Sequence, residues 1–140
     1  MRVLFVEDDY ASRVLVTGML EHIDHRLRLH VSCVDTLADA KIGSADADVV
    51  ILDLTLPKTT PECALDWAKE LVKLTPVIVI TGTASPQIAL EAGKRGIGLI
   101  DKKQLTEDLL ELEIYRAQGA WIHKKKRHDI LVDTARKIHG

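Results

Sequence analysis

The sequence has few cysteines, few aromatic residues and no long apolar run. Only two of its 140 residues are cysteines, Cys33 and Cys63, which is too few for a disulfide framework and favours a reducing compartment. No apolar run approaches the roughly 20 residues that cross a bilayer, and Met1-Arg2 leads directly into a strand-like run in place of a signal peptide. Together these absences predict a cytoplasmic protein without a membrane partner.

The net charge is also small, at −2, and by itself it points to no class of partner. Its distribution is uneven: residues 1–119 carry 13 Lys and Arg against 19 Asp and Glu, or −6, whereas residues 120–140 carry six against two, or +4. No repeat or Gly/Ser linker divides the chain, and its length fits one domain. We therefore predict a domain over residues 1–119 and a basic helical extension over residues 120–140.

Strand-like and helix-like runs alternate along the predicted domain. Three of the five strand-like runs are almost entirely apolar, as expected of strands buried on both faces, while the second alternates polar and apolar residues, as expected nearer an edge. The predicted strands are Arg2–Val6, Leu27–Cys33, Val49–Leu54, Val77–Thr81 and Ile97–Asp101. This order predicts an α/β fold with a parallel five-stranded sheet, (βα)5, and right-handed crossovers.

The helices between these strands are predicted from helical spacing and end signals. The first helix is Ala11–Asp24, with Asp9 or Ser12 as its cap, and the second is Asp35–Ile42, ended by Gly43. The third is Glu62–Leu74, with Pro61 in its first turn. The fourth starts at Ser85-Pro86 and is ended by Gly93 or Gly96, and the fifth is capped by Thr106.

Polar residues stand at the ends of four of these strands. Glu7-Asp8 follow the first strand, Asp53 lies at the end of the third, Thr81 ends the fourth and Lys102 follows the fifth. The C-terminal ends of parallel strands meet in one crevice, so three carboxylates, a hydroxyl and an ammonium should lie together. Clustered carboxylates suit Mg²⁺, and Asp53 is placed to attack a phosphoryl donor while Lys102 offsets the developing charge.

Each of these signals also has a plain structural interpretation. Glu7-Asp8-Asp9 reads equally well as an acidic helix start, Asp53 as a turn residue, Thr81-Gly82 as a common strand exit and Lys102-Lys103 as a solvated charge pair. The joint occurrence at strands one, three, four and five, in that order, favours a shared site.

In this order the chain resembles the receiver domain of bacterial two-component response regulators, over residues 2 to about 118. The matching motifs are the acidic pair Glu7-Asp8, Asp53-Leu-Thr-Leu-Pro57, Thr81-Gly82 and Lys102. The resemblance implies a flavodoxin-like, doubly wound fold and a phosphoacceptor at Asp53. The resemblance further implies that Asp8, Asp53 and the Thr55 backbone carbonyl bind Mg²⁺, with Glu7 acting through a water. It implies that Thr81 and Lys102 contact the phosphoryl group, and that Thr55 and Thr83 tune the rate of dephosphorylation.

The chain departs from that family pattern at four places, one of which is the turn Gly96-Ile-Gly98 before the fifth strand, which is one residue short. Lys103 stands where a proline usually follows the lysine, Thr60-Pro61 replaces the glycine expected in the loop after the third strand, and Leu99 occupies the position of the switch aromatic. The phosphorylation chemistry is complete by this likeness, while the read-out surface differs.

Three functions follow from these residues. The first is a stand-alone response regulator that takes a phosphoryl group from a histidine kinase or phosphotransfer protein, is otherwise not an enzyme, and switches its contacts with an unknown output protein. The second is a pseudo-receiver, a docking or decoy protein that does not depend on phosphorylation. The third is a haloacid-dehalogenase-like phosphatase, which would need an acid at Thr55 and a nucleophile on the first strand.

The tail, residues 120–140, leaves three interpretations open. The tail either prolongs the fifth helix or forms a short extra helix. It is a solvated extension, or it serves partner docking or, together with the fifth helix, homodimerisation, through Ile130, Leu131, Ala135 and Ile138. Lys124–Arg127 would attract phosphates without reading bases, so specific DNA binding is not expected.

Overall fold

The chain forms one parallel sheet flanked by helices on both faces. The computed structural model describes the backbone of residues 1–139 and the side chains of residues 1–24, 27–120, 122 and 131–137. The strands are β1 (Arg2–Val6), β2 (His30–Val34), β3 (Val49–Leu52), β4 (Val77–Thr81) and β5 (Gly98–Asp101). The helices are α1 (Tyr10–Leu27), α2 (Leu37–Gly43), α3 (Pro61–Leu71), α4 (Pro86–Arg95) and α5 (Glu107–His139), with single 3-10 turns at Ser44–Asp46 and Lys102–Gln104.

The strands lie in the order β2-β1-β3-β4-β5, and every pair is parallel. The chain leaves β1 first toward β2 on one side and then toward β3 on the other. The C-terminal ends of β1 and β3 therefore border the point where the strand order reverses, which is where open α/β sheets bind ligands. Val6 pairs with Leu52 there, so the residues that follow the two strands start from neighbouring positions.

Alternating side chains of the strands build two apolar cores. Val3 and Phe5 of β1 pack with α1 and α5, whereas Leu4 and Val6 pack with α2, α3 and α4. The four residues of β3 are all fully buried, since this strand has neighbours on both sides and helices on both faces. The sheet is thus a rigid base for the residues at its C-terminal edge.

The boundary between α1 and β2 differs from the prediction. The sequence predicts a strand over Leu27–Cys33, but α1 continues to Leu27 and β2 starts at His30. Arg28 ends the helix in the left-handed conformation, at φ 50°, with its N–H bonded to the Asp24 carbonyl, while the Asp24 carboxylate accepts the N–H of Leu29. This local cap overrides the strand-like alternation of the sequence.

Several other boundaries move by one to three residues. The strand β3 ends at Leu52 and β5 begins at Gly98, so Leu54 and Ile97 belong to the loops. In α2, Thr36 caps the start by accepting the Asp39 N–H, and Gly43 is the last residue of the helix, with Ser44 as its C-cap. Helix α3 starts at Pro61 and ends at Leu71.

The sequence offers two glycines, Gly93 and Gly96, as the end of the fourth helix, and the structure distinguishes between them. Gly93 lies inside the helix, and Gly96 ends it at φ 72°. Its N-cap Ser85 accepts the Ile88 N–H.

Helix α5 continues without a break through the predicted tail, so the tail is a prolongation of the fifth helix. Its inner face buries Leu110 and Ile114, while Leu112, Tyr115 and Ile122 are exposed. The side chains of Lys124–Arg127, Ile130 and Ile138, which entered the predictions for the tail, lie outside the described residues. In the described part of the chain, no helix combines the length and apolarity that a membrane span requires.

Candidate functional site

The three predicted carboxylates meet at the reversal point of the sheet. Glu7 and Asp8 follow β1, Asp53 follows β3, and each offers an oxygen within 4.8 Å of the others. Backbone hydrogen bonds continue the sheet into the site: the Glu7 N–H binds the Val34 carbonyl and the Asp53 N–H binds the Val6 carbonyl, each at 3.0 Å. Glu7 and Asp53 are buried and Asp8 is exposed, so the cluster has an inner wall and an open side.

Asp9, the next acid in the chain, has a different role. Its carboxylate accepts the Ser12 N–H at 3.0 Å and the Ser12 hydroxyl at 2.8 Å, which makes it the N-cap of α1. The acidic run therefore divides, because Glu7 and Asp8 belong to the cluster and Asp9 starts the helix.

Lys102 reaches into this cluster from the end of β5. Its Nζ donates to Glu7 Oε1 at 2.9 Å and to Asp53 Oδ2 at 3.1 Å. Burial acts to lower the pKa of Lys102, but the hydrogen bond to Glu7 and the charge of Asp53 outweigh it and leave that pKa above its usual value. Lys102 therefore stays a cation at neutral pH and bridges two carboxylates that would otherwise repel each other.

Glu7 is the most buried carboxylate of the site. Burial and, after it, the neighbouring Asp53 carboxyl group raise the pKa of Glu7 from 4.5 to about 7, against the opposing effect of Lys102. Its Oε2 is buried and finds no hydrogen-bond donor among the described groups. A site with three acids, one lysine and an unsatisfied carboxylate oxygen has the chemistry of a divalent cation site.

The loop after β3 shapes the second side of Asp53. The Thr55 N–H donates to Asp53 Oδ1 at 3.0 Å, so both carboxylate oxygens are held: Oδ1 by the loop and Oδ2 by Lys102. Further along this loop, Lys58 adopts the left-handed region at φ 63°, three residues before Pro61 starts α3. The glycine-free loop thus turns through a strained lysine.

Thr81, the last residue of β4, is fully buried. Its hydroxyl lies 3.0 Å from the Thr83 hydroxyl and accepts the Thr83 N–H at 3.2 Å. Within the described residues it makes no hydrogen bond to Asp53. Thr81 is therefore at the predicted strand end, tied to Thr83 at the start of the next loop.

Leu99 lies outside the cluster. It is half-buried on β5 and packs against the core shared by α2, α3 and α4. A cavity of about 150 Å³ adjoins the cluster and is lined on its polar side by Glu7, Asp53 and Lys102. Its apolar wall consists of Phe5, Leu15, Val16, Ile80 and Leu105.

One residue near the site was not predicted from the sequence. Asp101 precedes Lys102 and accepts the Lys103 N–H at 2.9 Å, which caps the 3-10 turn Lys102–Gln104. An aspartate two residues before a free backbone N–H at a strand exit is the usual pattern of such a cap and was the available signal.

The comparisons with known proteins agree with this arrangement. Among solved structures, the receiver domain of a protein assigned as a Luxo repressor from Vibrio parahaemolyticus is 26% identical, with a TM-score of 0.70, and the match covers 93% of this chain and 95% of that one. The chemotaxis protein CheY4 of Vibrio cholerae is also 26% identical, with a TM-score of 0.62 and coverage of 83% and 97%.

A longer protein matches through part of its length. NtrX from Brucella abortus is 26% identical with a TM-score of 0.73, over 92% of this chain but only 29% of that one. No curated protein matches the sequence. The family model for the response regulator receiver domain matches residues 3–114, which include the acidic pair, Asp53, Thr81 and Lys102, and the chain therefore belongs to the response regulator receiver domain family.

Proposed function

We propose that this chain is a phosphoacceptor switch that takes a phosphoryl group on Asp53 from a histidine kinase or phosphotransfer protein. The observation that carries the proposal is the Lys102 ammonium, which lies within hydrogen-bonding distance of both Glu7 and Asp53 at the reversal point of the sheet. A structural ion pair would be satisfied by one carboxylate. A lysine among three carboxylates suits a group that arrives with several negative oxygens.

The chemistry assigned to Asp53 is nucleophilic attack. Its carboxylate oxygen forms a new bond to phosphorus while the bond from phosphorus to the donor's imidazole nitrogen or acyl oxygen breaks, and the leaving group keeps the electron pair. The Thr55 N–H fixes the orientation of the carboxylate through Oδ1. Lys102 offsets the negative charge on the transferring group.

Glu7, Asp8 and Asp53, with the Thr55 backbone carbonyl, are the groups that would hold Mg²⁺. The buried, unsatisfied Glu7 Oε2 and the excess of carboxylates over cations support this assignment. A bound divalent cation supplies positive charge to the phosphoryl oxygens. Lys102 adds a second positive charge, in contact with both Glu7 and Asp53.

The read-out is assigned to Thr81. Its hydroxyl is bonded to Thr83, so a move toward a phosphorylated Asp53 requires that bond to break. Thr55 and Thr83 flank the site and are assigned to tune the lifetime of the phosphoryl group. Leu99, aliphatic and half-buried, is assigned to transmit the change to an output protein with no ring to rotate.

The experiment compares phosphoryl incorporation in the wild type and in Asp53→Asn, with acetyl phosphate and Mg²⁺, by intact mass. The wild type should gain one phosphoryl group that hydroxylamine removes, and EDTA should prevent the gain. Asp53→Asn should gain none. Asp9→Asn is the matched control, because Asp9 caps α1 outside the cluster and asparagine caps equally well.

Two results would contradict the proposal. Incorporation into Asp53→Asn would place the acceptor elsewhere. A wild type that gains no phosphoryl group from acetyl phosphate, and none from a phosphorylated histidine donor, would favour the pseudo-receiver, whose docking does not depend on phosphorylation.

A further inference from the structure

We propose that Asp101 is a positioning residue for Lys102: its carboxylate, by binding the Lys103 N–H, fixes the turn from which Lys102 reaches Glu7 and Asp53. The inference rests on the proposed function of the Asp53 site. It concerns a residue outside the carboxylate cluster, which consists of Glu7, Asp8 and Asp53.

The 3-10 turn Lys102–Gln104 follows directly after a residue that is paired in the sheet. Asp101 is the last residue of β5 and pairs with Thr81 of β4. Its backbone is extended, at φ −73° and ψ 128°, and its Oδ1 accepts the Lys103 N–H at 2.9 Å. The chain thus changes from strand to 3-10 turn at Lys102, and the hydrogen bond from the Lys103 N–H to Asp101 holds the turn to the end of the strand.

The far side of the turn is held less tightly. The Leu105 N–H reaches the Lys102 carbonyl at 3.4 Å, which is a long hydrogen bond. A single 3-10 turn has poor hydrogen-bond geometry and little stability of its own. The Asp101 cap is therefore the stronger of the two contacts that define the backbone at Lys102.

The end of β5 explains why an aspartate can serve here without joining the cluster. Asp101 is the last residue of the strand and Lys102 is the first residue of the 3-10 turn, and their side chains contact different partners. The Asp101 carboxylate binds backbone, while the Lys102 ammonium lies 2.9 Å from Glu7 and 3.1 Å from Asp53. The two neighbours therefore perform separate tasks.

Lys103 makes this cap available. A lysine at this position has a backbone N–H, which a proline would lack, and an uncapped N–H at a turn start loses a stabilising contact. The Lys102 side chain has four methylene groups and much rotamer entropy to lose. If the backbone conformation at Lys102 varied, the ammonium would occupy many positions and both of its contacts with the carboxylates would weaken.

The test is a double-mutant cycle between Asp101→Ala and Lys102→Ala, with Asp101→Asn as the conservative variant. The readout is the rate constant for phosphorylation of Asp53 by acetyl phosphate. Asp101→Ala should lower it by about fivefold, the equilibrium equivalent of losing one cap. Asp101→Asn keeps an acceptor oxygen but not the charge, and should stay near the wild type.

In the Lys102→Ala background, Asp101→Ala should have no further effect on this rate constant, because the residue that it positions is gone. A fivefold loss that persists there would show that Asp101 acts on the fold in general and would overturn the inference. Equal losses from Asp101→Asn and Asp101→Ala would assign the effect to charge and would overturn it as well.

A second readout does not need phosphoryl transfer. Lys102 competes with Mg²⁺ for Glu7 and Asp53, so Asp101→Ala should tighten Mg²⁺ binding measured by calorimetry, and should not do so when Lys102 is alanine. A wild type that takes no phosphoryl group would refute the proposed function, while the Mg²⁺ cycle would still decide the role of Asp101. Unchanged Mg²⁺ affinity in Asp101→Ala would count against the positioning role.

Discussion

Lys102 Nζ lies 2.9 Å from Glu7 Oε1, and this contact joins the ends of two strands that are 95 residues apart in the chain. Glu7 is fully buried, and Lys102 supplies the cation that its Oε1 contacts. Burial and the nearby Asp53 nevertheless raise the pKa of Glu7 to about 7. The acid cluster is consequently sensitive to protons within the physiological range.

We expect the affinity for Mg²⁺ to rise with pH and level off above pH 7. Glu7 holds a proton below its pKa of about 7, and a cation that uses the carboxylate must displace that proton. The affinity should therefore change by about tenfold per pH unit below that value. Calorimetric titrations at pH 6 and 8 measure this change. Glu7→Gln, which cannot ionise, should bind more weakly and show a flat profile; a steep profile in that variant would assign the proton to another group.

The same pKa gives the sign of the pH dependence of stability without metal. A carboxyl whose pKa rises from 4.5 to about 7 on folding binds more protons when folded. Its contribution to the free energy of unfolding is full below pH 4.5 and is lost as pH rises through 7. Urea unfolding in EDTA should show the wild type losing roughly 1–3 kcal/mol more than Glu7→Gln between pH 5 and 8. Parallel profiles would contradict the assignment.

Lys102 and Lys103 should differ sharply in function although they are neighbours. Lys102 contacts Glu7 and Asp53, while Lys103 is exposed and contributes its backbone N–H to the Asp101 cap. Lys102→Ala should lower the extent of phosphorylation by acetyl phosphate by tenfold or more, about the effect of losing one charge-assisted contact. Lys103→Ala keeps the N–H and should change it by less than about twofold. The reverse ranking would refute the assignment of the lysine.

The positions of the site residues could be predicted because polar residues mark the ends of the short apolar runs that form the strands. The predicted bounds of β1 and β4 agree with the structure, since both are short apolar runs whose ends are marked, β1 by the Glu7 that follows it and β4 by Thr81 before Gly82. A charge cannot stay inside a strand buried on both faces, so Glu7 and Asp53 had to mark the ends of β1 and β3. Parallel pairing then brings those ends together.

Boundaries set by local caps were harder to predict. Residues 27–33 alternate as a strand would, but the left-handed Arg28 and the hydrogen bonds to Asp24 keep Leu27 in α1. The link between Thr81 and Thr83 and the cap from Asp101 depend on rotamers that composition and periodicity do not specify. Sequence patterns locate elements, whereas single side-chain contacts decide their last residues.

Two glycines of α4 should respond to alanine in opposite directions. Gly93 lies inside the helix, and an alanine Cβ there would meet open space, so Gly93→Ala should stabilise the protein by about 0.5–1 kcal/mol. Gly96 ends the helix at φ 72°, where a side chain is strained, so Gly96→Ala should destabilise it by about 1–2 kcal/mol. Thermal unfolding of the pair provides the measurement. Equal shifts in the same direction would mean that α4 does not end at Gly96.

The outer face of α5, together with the extension over residues 120–140, is the surface where we expect self-association. The helix continues to His139, and Leu112, Tyr115 and Ile122 are exposed on it at the three- and seven-residue spacing of a helix seam. An isolated helix is marginal in water, so contact with a partner would stabilise the turns of α5 that extend beyond the core. We expect a homodimer in sedimentation experiments, and a monomer when the chain is cut after Gly119 or carries Leu112→Glu.

If the full-length protein is a monomer instead, the charges of the chain suggest where the extension lies. Residues 120–140 carry +4 and residues 1–119 carry −6, so the extension could instead lie on the acidic surface of its own domain. Full-length protein would then sediment as a monomer, and cutting after Gly119 would lower its thermal stability without changing its mass class. Monomers of equal stability with and without the extension would show that it is a solvated prolongation of α5, and the exposed seam of Leu112, Tyr115 and Ile122 would then hold no second copy.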